Sequence, residues 1–250
     1  MTDQDDGYFG ESVAATYDES ADIYRPGAVD PAVSFLAGLA GRGRALELGV
    51  GTGRIALPLA ARGIAVHGID LSQAMVARLK AKPGGQDITV TIGDFAAAQV
   101  EGTFALVYLV FNTIMNLTTQ DAQVACFANA AAHLEPGGCF LIETRVPEIR
   151  LLPSGGSILP WQLSPRRWVS YSYDTATQAM RGHYVDFTSG HGEYSTIPFR
   201  YVWPAELDLM ARLAGMRLRE RWGGWNNEPF TGDSRQHVSV WEKPHRMAGA

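Results

Sequence analysis

The sequence predicts an α/β fold: a doubly wound, mostly parallel sheet of seven strands with a β-ribbon inserted between the fifth and sixth. Three observations carry this reading. Short apolar runs alternate with amphipathic segments from residue 44 to residue 143. The first run ends in three glycines at alternate positions, Gly49, Gly51 and Gly53. The alternation stops at Pro147 and resumes only after Pro204.

An amphipathic segment at 11–25 carries Tyr17 and Tyr24 and is stopped by Pro26-Gly27, and a helix is expected over 29–39. The first strand is expected at 44–48 and its helix at 54–62. The second strand, 65–69, ends at Asp70, and Ser72 stands as N-cap of the next helix. The third strand, 88–92, leads into Gly93-Asp94. The fourth, 104–110, is a continuous apolar run suited to burial on both faces. A helix over 119–134 closes at Glu135-Pro136-Gly137-Gly138, before the fifth strand at 139–143. Beyond Pro147, three prolines interrupt the chain, and two runs, 180–187 and 194–201, read as the ribbon. Pro204 then starts a helix that Gly215 caps, and 216–222 and 236–242 supply the last strands. This divides the chain into an N-terminal lid (1–43), a core (44–146), an insertion forming a cap (147–202) and a completion of the sheet (203–250).

Composition narrows the function classes. At 250 residues, 46% hydrophobic and 19% charged, the chain fits a globular enzyme. A net charge of −5 and the absence of a Lys/Arg cluster speak against a nucleic-acid partner. The acidic start Met1-Thr2-Asp3-Gln4-Asp5-Asp6 has no apolar core of a signal peptide, and no run is long enough to span a membrane. Cys126 and Cys139 are too far apart in sequence for a metal or redox motif. A cytoplasmic protein, monomer or homodimer, is expected.

The chemistry is concentrated in Glu47-Leu48-Gly49-Val50-Gly51-Thr52-Gly53. A strand, a Gly-rich turn and a helix start form a nucleotide pocket. Against the dinucleotide fingerprint G-x-G-x-x-G, the third glycine comes one residue early, and Arg54 holds its place. Glu47 would repel a pyrophosphate but suits a ligand bearing an ammonium group. These two features disfavour the alternative of an NAD(P)-dependent oxidoreductase. Residues 47–53 match position for position the first motif, E/D-x-G-x-G-x-G, of the class I S-adenosylmethionine (SAM)-dependent methyltransferases, and the chain resembles that family over 44–143 and the last two strands. A protein that binds SAM without methylating carries the same motifs.

The resemblance implies SAM as cofactor, S-adenosylhomocysteine as product, and a small-molecule acceptor. It assigns the ribose to Asp70 and the adenine amino group to Asp94, with Phe95 packing on the base and Leu71 and Met75 lining its face. Val110, Phe111 and Asn112 border the methionine part, and Tyr17 and Tyr24 reach it from the lid. No Asn/Asp-Pro-Pro-Tyr or Pro-Cys sequence points to base methylation, and the fourth strand ends without the Asp that begins a metal-binding carboxylate cluster. Direct in-line transfer to O or N without a metal is expected. His183, His191 and His237 are the candidate bases, with neutral-range pKa values. Each has an alternative reading as a solvent-facing strand residue, a turn tip or a strand start. Asn116 and the aromatic residues Trp161, Trp168 and Trp225 are candidate acceptor contacts.

Overall fold

In the computed structural model, residues 8–19, 27–187 and 189–245 are described. Tyr24 lies outside them. The helices are α1 (Glu11–Thr16), α2 (Asp30–Ala40), α3 (Ala56–Ala61), α4 (Gln73–Ala81), α5 (Gln120–His133) and α6 (Pro204–Leu213). The strands of the main sheet are β1 (Ala45–Leu48), β2 (Val66–Asp70), β3 (Thr89–Ile92), β4 (Phe104–Leu109), β5 (Leu134–Arg145), β10 (Arg217–Trp222) and β11 (Gln236–Glu242). A second sheet holds β6 (Ile158–Leu163), β7 (Arg167–Tyr173), β8 (Ala179–Asp186) and β9 (Glu193–Arg200).

The seven strands run in the order β10-β11-β5-β4-β1-β2-β3, as expected of a doubly wound sheet. β1 pairs in parallel with both β2 and β4, and only β11 and β10 introduce antiparallel pairs. The chain fills one side of β1 with β2 and β3, then crosses to β4 on the other. The loops after β1 and β4 therefore diverge at their carboxyl ends and leave a crevice. β1 is buried at all four positions, and β4 at all but one, which explains their unbroken apolar sequence.

Local signals set the elements as the sequence suggests. The Ser72 hydroxyl accepts from the Met75 amide at 3.1 Å and caps α4, and Thr119 caps α5 through the Ala122 amide at the same distance. Pro204 occupies the first turn of α6, and Gly215 follows it with φ of 76°. α3 begins at Ala56, two residues later than expected, because Gly53 (φ 80°) holds the preceding loop out of helical geometry. β5 begins directly at Leu134. The Gly137 amide donates to the Lys243 carbonyl at 2.7 Å, so the expected helix stop is drawn into the sheet.

The expected ribbon is present as β8–β9, and two further strands extend it into a four-stranded antiparallel sheet. β6 and β7 escape sequence reading because Pro160 sits in β6 and because much of this sheet is exposed. Pro160 is tolerated since β6 is an edge strand with one unpaired side. Val169, Tyr171, Tyr173 and Met180 on one face join the core of the main sheet through Leu117, Tyr201 and Val202. Arg200, at the end of β9, is buried. It donates to Gln123 Oε1 at 2.5 Å and pairs with Glu206 at 2.7 Å, tying this sheet to α5 and α6.

Candidate active site

The site is built from the two loops that part at the switch point. After β1, Gly49, Gly51 and Gly53 have φ of 76°, 52° and 80°, a region that favours glycine. A Cβ on Gly49 would come within 2.8 Å of the Thr113 methyl carbon. The loop is pinned to β2. The Gly49 and Val50 amides donate to the Ile69 carbonyl at 2.8 and 3.1 Å, and the Gly51 amide donates to Asp70 Oδ2 at 2.7 Å. Asp70 Oδ1 accepts from the Ser72 amide at 2.9 Å. Glu47 is buried beneath the loop and accepts from the Tyr108 hydroxyl at 2.9 Å. Burial pushes the Glu47 carboxyl up to about 8. The Tyr108 bond opposes that rise and the nearby Asp70 charge adds to it.

After β4 the chain makes a strained turn. Phe111 and Asn112 both have positive φ, 57° and 62°, at a cost of roughly 1–2 kcal/mol each. Hydrogen bonds with β5 hold them. The Phe111 amide donates to Glu143 Oε2 at 2.6 Å, and Asn112 Oδ1 accepts from the Arg145 amide at 2.8 Å. The Asn112 amide oxygen thus has a structural partner, and the Asn112 side chain braces the turn it belongs to. The Phe111 ring is turned toward Arg54, whose guanidinium lies 4.6 Å from it and 5.3 Å from the Tyr17 ring.

Together these loops border a cavity of about 520 Å3, within the range of small-molecule sites. Gly49, Gly51, Asp70, Leu71, Met75, Asp94 and Phe95 line one half. Asn112, Asn116, Leu117, Arg145, Tyr171, Met180 and Phe199 line the other. Tyr8, Phe9 and Tyr17 cover it from the N-terminal segment. A small recess contiguous with it reaches Glu47, Arg54 and Val110. The covering segment is latched down: Asp18 accepts from the Thr52 hydroxyl and pairs with Lys82, both at 2.6 Å, and the Ser72 hydroxyl donates to the Phe9 carbonyl.

The structure gathers around one cavity the residues expected to hold the cofactor, apart from Tyr24 and from Gly53, which tightens the loop behind it; Asn116 joins them. It brings none of the three candidate histidines there. His183 lies on the face of β8 opposite Gly182 and Tyr184, bonded to Ser172 at 2.9 Å and to the Tyr194 hydroxyl at 2.7 Å. Period-two alternation turns it away from the cavity. His191 is at the exposed β8–β9 tip, 3.8 Å from Glu193. His237 is buried beside Ser239 and Phe230, and burial, helped by the Arg221 charge, lowers its pKa to about 3, so it stays neutral. Trp168 meets Phe187 edge to face and does not line the cavity, and Trp225 packs on Phe35. Trp161 does not line the cavity but touches two residues that do, Arg145 and Tyr171.

Sequence reading missed Tyr8, Arg145, Met180 and Phe199. Arg145 had a usable signal, since it ends the fifth strand on the carboxyl side of the sheet. The others had none, because a separately folded sheet and the N-terminal segment deliver them. Among the described residues there is no cluster of three His, Cys, Asp or Glu placed to hold a metal ion, and no helix is long and apolar enough to cross a membrane. Cys126 and Cys139 are buried free thiols.

The residues present fit the cofactor that the loop motif implies. The alternate glycines admit a ligand against backbone, Asp70 offers a carboxylate at the cavity wall, and Glu47 is an acid whose ionisation a ligand ammonium would favour.

Comparison with known proteins agrees. A family model for a methyltransferase domain matches residues 45–138. The CcbJ methyltransferase of Streptomyces caelestis superposes with a TM-score of 0.83 and 35% identity, over 94% of this chain and 98% of that one. A cypemycin N-terminal methyltransferase of a Streptomyces species is 28% identical over 96% of this chain and 99% of its own. The fold is also that of SAM-bound CalS10, an amino pentose methyltransferase of Micromonospora echinaspora, with a TM-score of 0.65 and 21% identity over 93% and 96% of the two chains. The chain belongs to the class I SAM-dependent methyltransferases.

Proposed function

We propose that the protein transfers a methyl group from SAM to a nitrogen of a small-molecule acceptor by direct in-line displacement, releasing S-adenosylhomocysteine. The observation that carries this reading is a cavity bordered on one side by the glycine loop and on the other by Tyr171, Met180 and Phe199, with no histidine among the described residues that line it. SAM, when bound, supplies the electrophilic methyl group. Asp70 accepts from ribose hydroxyls, Asp94 and Phe95 hold the adenine, and Glu47 receives the ammonium group. The turn at Phe111 and Asn112 separates cofactor from acceptor. Asn116 orients the acceptor, while Tyr171, Met180 and Phe199 exclude water from it. Residues 1–43 act as the lid and 147–202 as the acceptor cap.

Nitrogen is preferred over oxygen because a hydroxyl needs a base of neutral pKa at the acceptor, whereas an amine that has lost its proton does not. The two Streptomyces proteins cover nearly the whole chain, and the one named as an N-terminal methyltransferase supports an amine. The test is labelled-methyl transfer from SAM to matched amines and alcohols, with calorimetry for SAM and S-adenosylhomocysteine. Transfer to amines alone is expected; transfer confined to alcohols would overturn the reading of the acceptor atom, and no SAM binding would overturn the whole.

A further inference from the structure

We propose that Arg145 anchors a carboxylate of the methyl acceptor, so that the substrate is an amino acid carrying both the amine to be methylated and a free acid. The inference rests on the reading of the cavity as an acceptor site for amines. Arg145 ends β5 and lines the acceptor half of the cavity. Its guanidinium stacks on two aromatic faces, 4.8 Å from the Trp161 ring and 5.3 Å from the Tyr171 ring. Nη1 is buried and has no hydrogen-bond partner. A buried guanidinium N–H without an acceptor is costly, and a charge-assisted bond to a carboxylate removes that cost.

The protein does not supply the acceptor itself. Among the described residues no carboxylate lies within 4.0 Å of the guanidinium. Glu148, nearby in sequence, lies 3.8 Å from Arg235 instead, and Glu143 accepts from the Phe111 amide. The two rings fix the fork and leave its edge for a ligand, the arrangement in which arginine recognises planar acids. A monoanion suits the place better than a phosphate. Arg145 is the only lysine or arginine among the described residues that line the cavity, and the Glu143 carboxylate already faces part of its charge.

The test uses full-length protein loaded with S-adenosylhomocysteine and three matched pairs: glycine and glycinamide, L-proline and L-prolinamide, L-phenylalanine and L-phenylalaninamide. Affinity is read by tryptophan fluorescence, to which Trp161 contributes, and methylation is read separately with labelled SAM. At least one acid is expected to bind tenfold or more tightly than its amide. Arg145→Gln should erase that difference with S-adenosylhomocysteine affinity unchanged, and Arg145→Lys should restore part of it. Equal binding of every pair, or an acid preference that survives in Arg145→Gln, overturns the proposal. An acid preference without any methyl transfer would leave the carboxylate site standing and sink the functional reading instead.

Discussion

On the cofactor side of the cavity, main-chain amides at Gly49, Val50 and Gly51 are fixed by acceptors in β2, and the ligand meets backbone. On the acceptor side, Tyr171, Met180 and Phe199 reach in from a second sheet, and the ligand meets side chains. Backbone geometry tolerates few residues, because a Cβ at Gly49 collides with Thr113. A side-chain wall can be rebuilt by substitutions that leave the sheet intact. One half is therefore constrained to a single ligand, and the other is free to diverge toward many acceptors.

The largest expected effect tests the rigid half. Asp70→Ala removes the acceptor of two loop amides and, in the proposed reading, of the ribose, and charge-assisted hydrogen bonds are worth about 1.5–3 kcal/mol each. SAM affinity measured by calorimetry should fall by more than about 100-fold. Unchanged affinity would show that neither the loop nor the cofactor depends on the Asp70 carboxylate.

A second effect tests whether the halves are separable. Arg200→Met removes the buried partner of Glu206 and Gln123, which bind β9 to α5 and α6. Breaking a buried pair leaves an uncompensated charge, and chemical denaturation should show a loss of about 3 kcal/mol. SAM affinity should change less than about threefold, because none of these residues lines the cofactor wall. A large loss of SAM affinity would mean that the second sheet shapes both halves.

A third prediction concerns Glu47. Its carboxyl is raised to about 8 from an ordinary 4.5, so its contribution to stability is fully present below about 4.5 and is lost as pH rises through 8. A ligand ammonium favours the ionised form. Binding near pH 6 must therefore release nearly one proton, and binding near pH 8 about half of one. SAM affinity should rise roughly 25-fold from pH 6 to pH 7.5, and Glu47→Gln should flatten that slope. An equally steep slope in Glu47→Gln would assign the titration to another group.

The same contrast explains what was legible in the sequence. Glu47, the glycines, Asp70 and Asp94 could be read because backbone-built pockets need fixed residue types at fixed spacing, and each stands at the carboxyl end of a strand. Met180 and Phe199 could not, because their place depends on how β8 and β9 register and dock, which no local pattern encodes. The histidines failed for a related reason. Their titration suits catalysis, but strand alternation turned His183 outward and burial took His237 out of the neutral range. Chemical aptitude is local information, and orientation in a second sheet is not.

The smallest predicted effect probes that second sheet directly. Gly182 pairs with Tyr171 across β7 and β8, and a Cβ there would lie 2.7 Å from the Tyr184 hydroxyl oxygen and 2.8 Å from its ring. Tyr184 can shift, since the contact is with a side chain, but it then presses on Tyr171, with which it shares a hydrogen bond. Gly182→Ala should displace the Tyr171 ring by a few tenths of an ångström. The acceptor KM should rise about three- to fivefold, roughly 1 kcal/mol, with SAM affinity unchanged. Gly49→Ala, the same added methyl on the backbone-built side, should do the reverse and weaken SAM first. If both substitutions raised the KM for both substrates, the cavity would be one cooperative unit, and the acceptor wall could not diverge without cost to the cofactor.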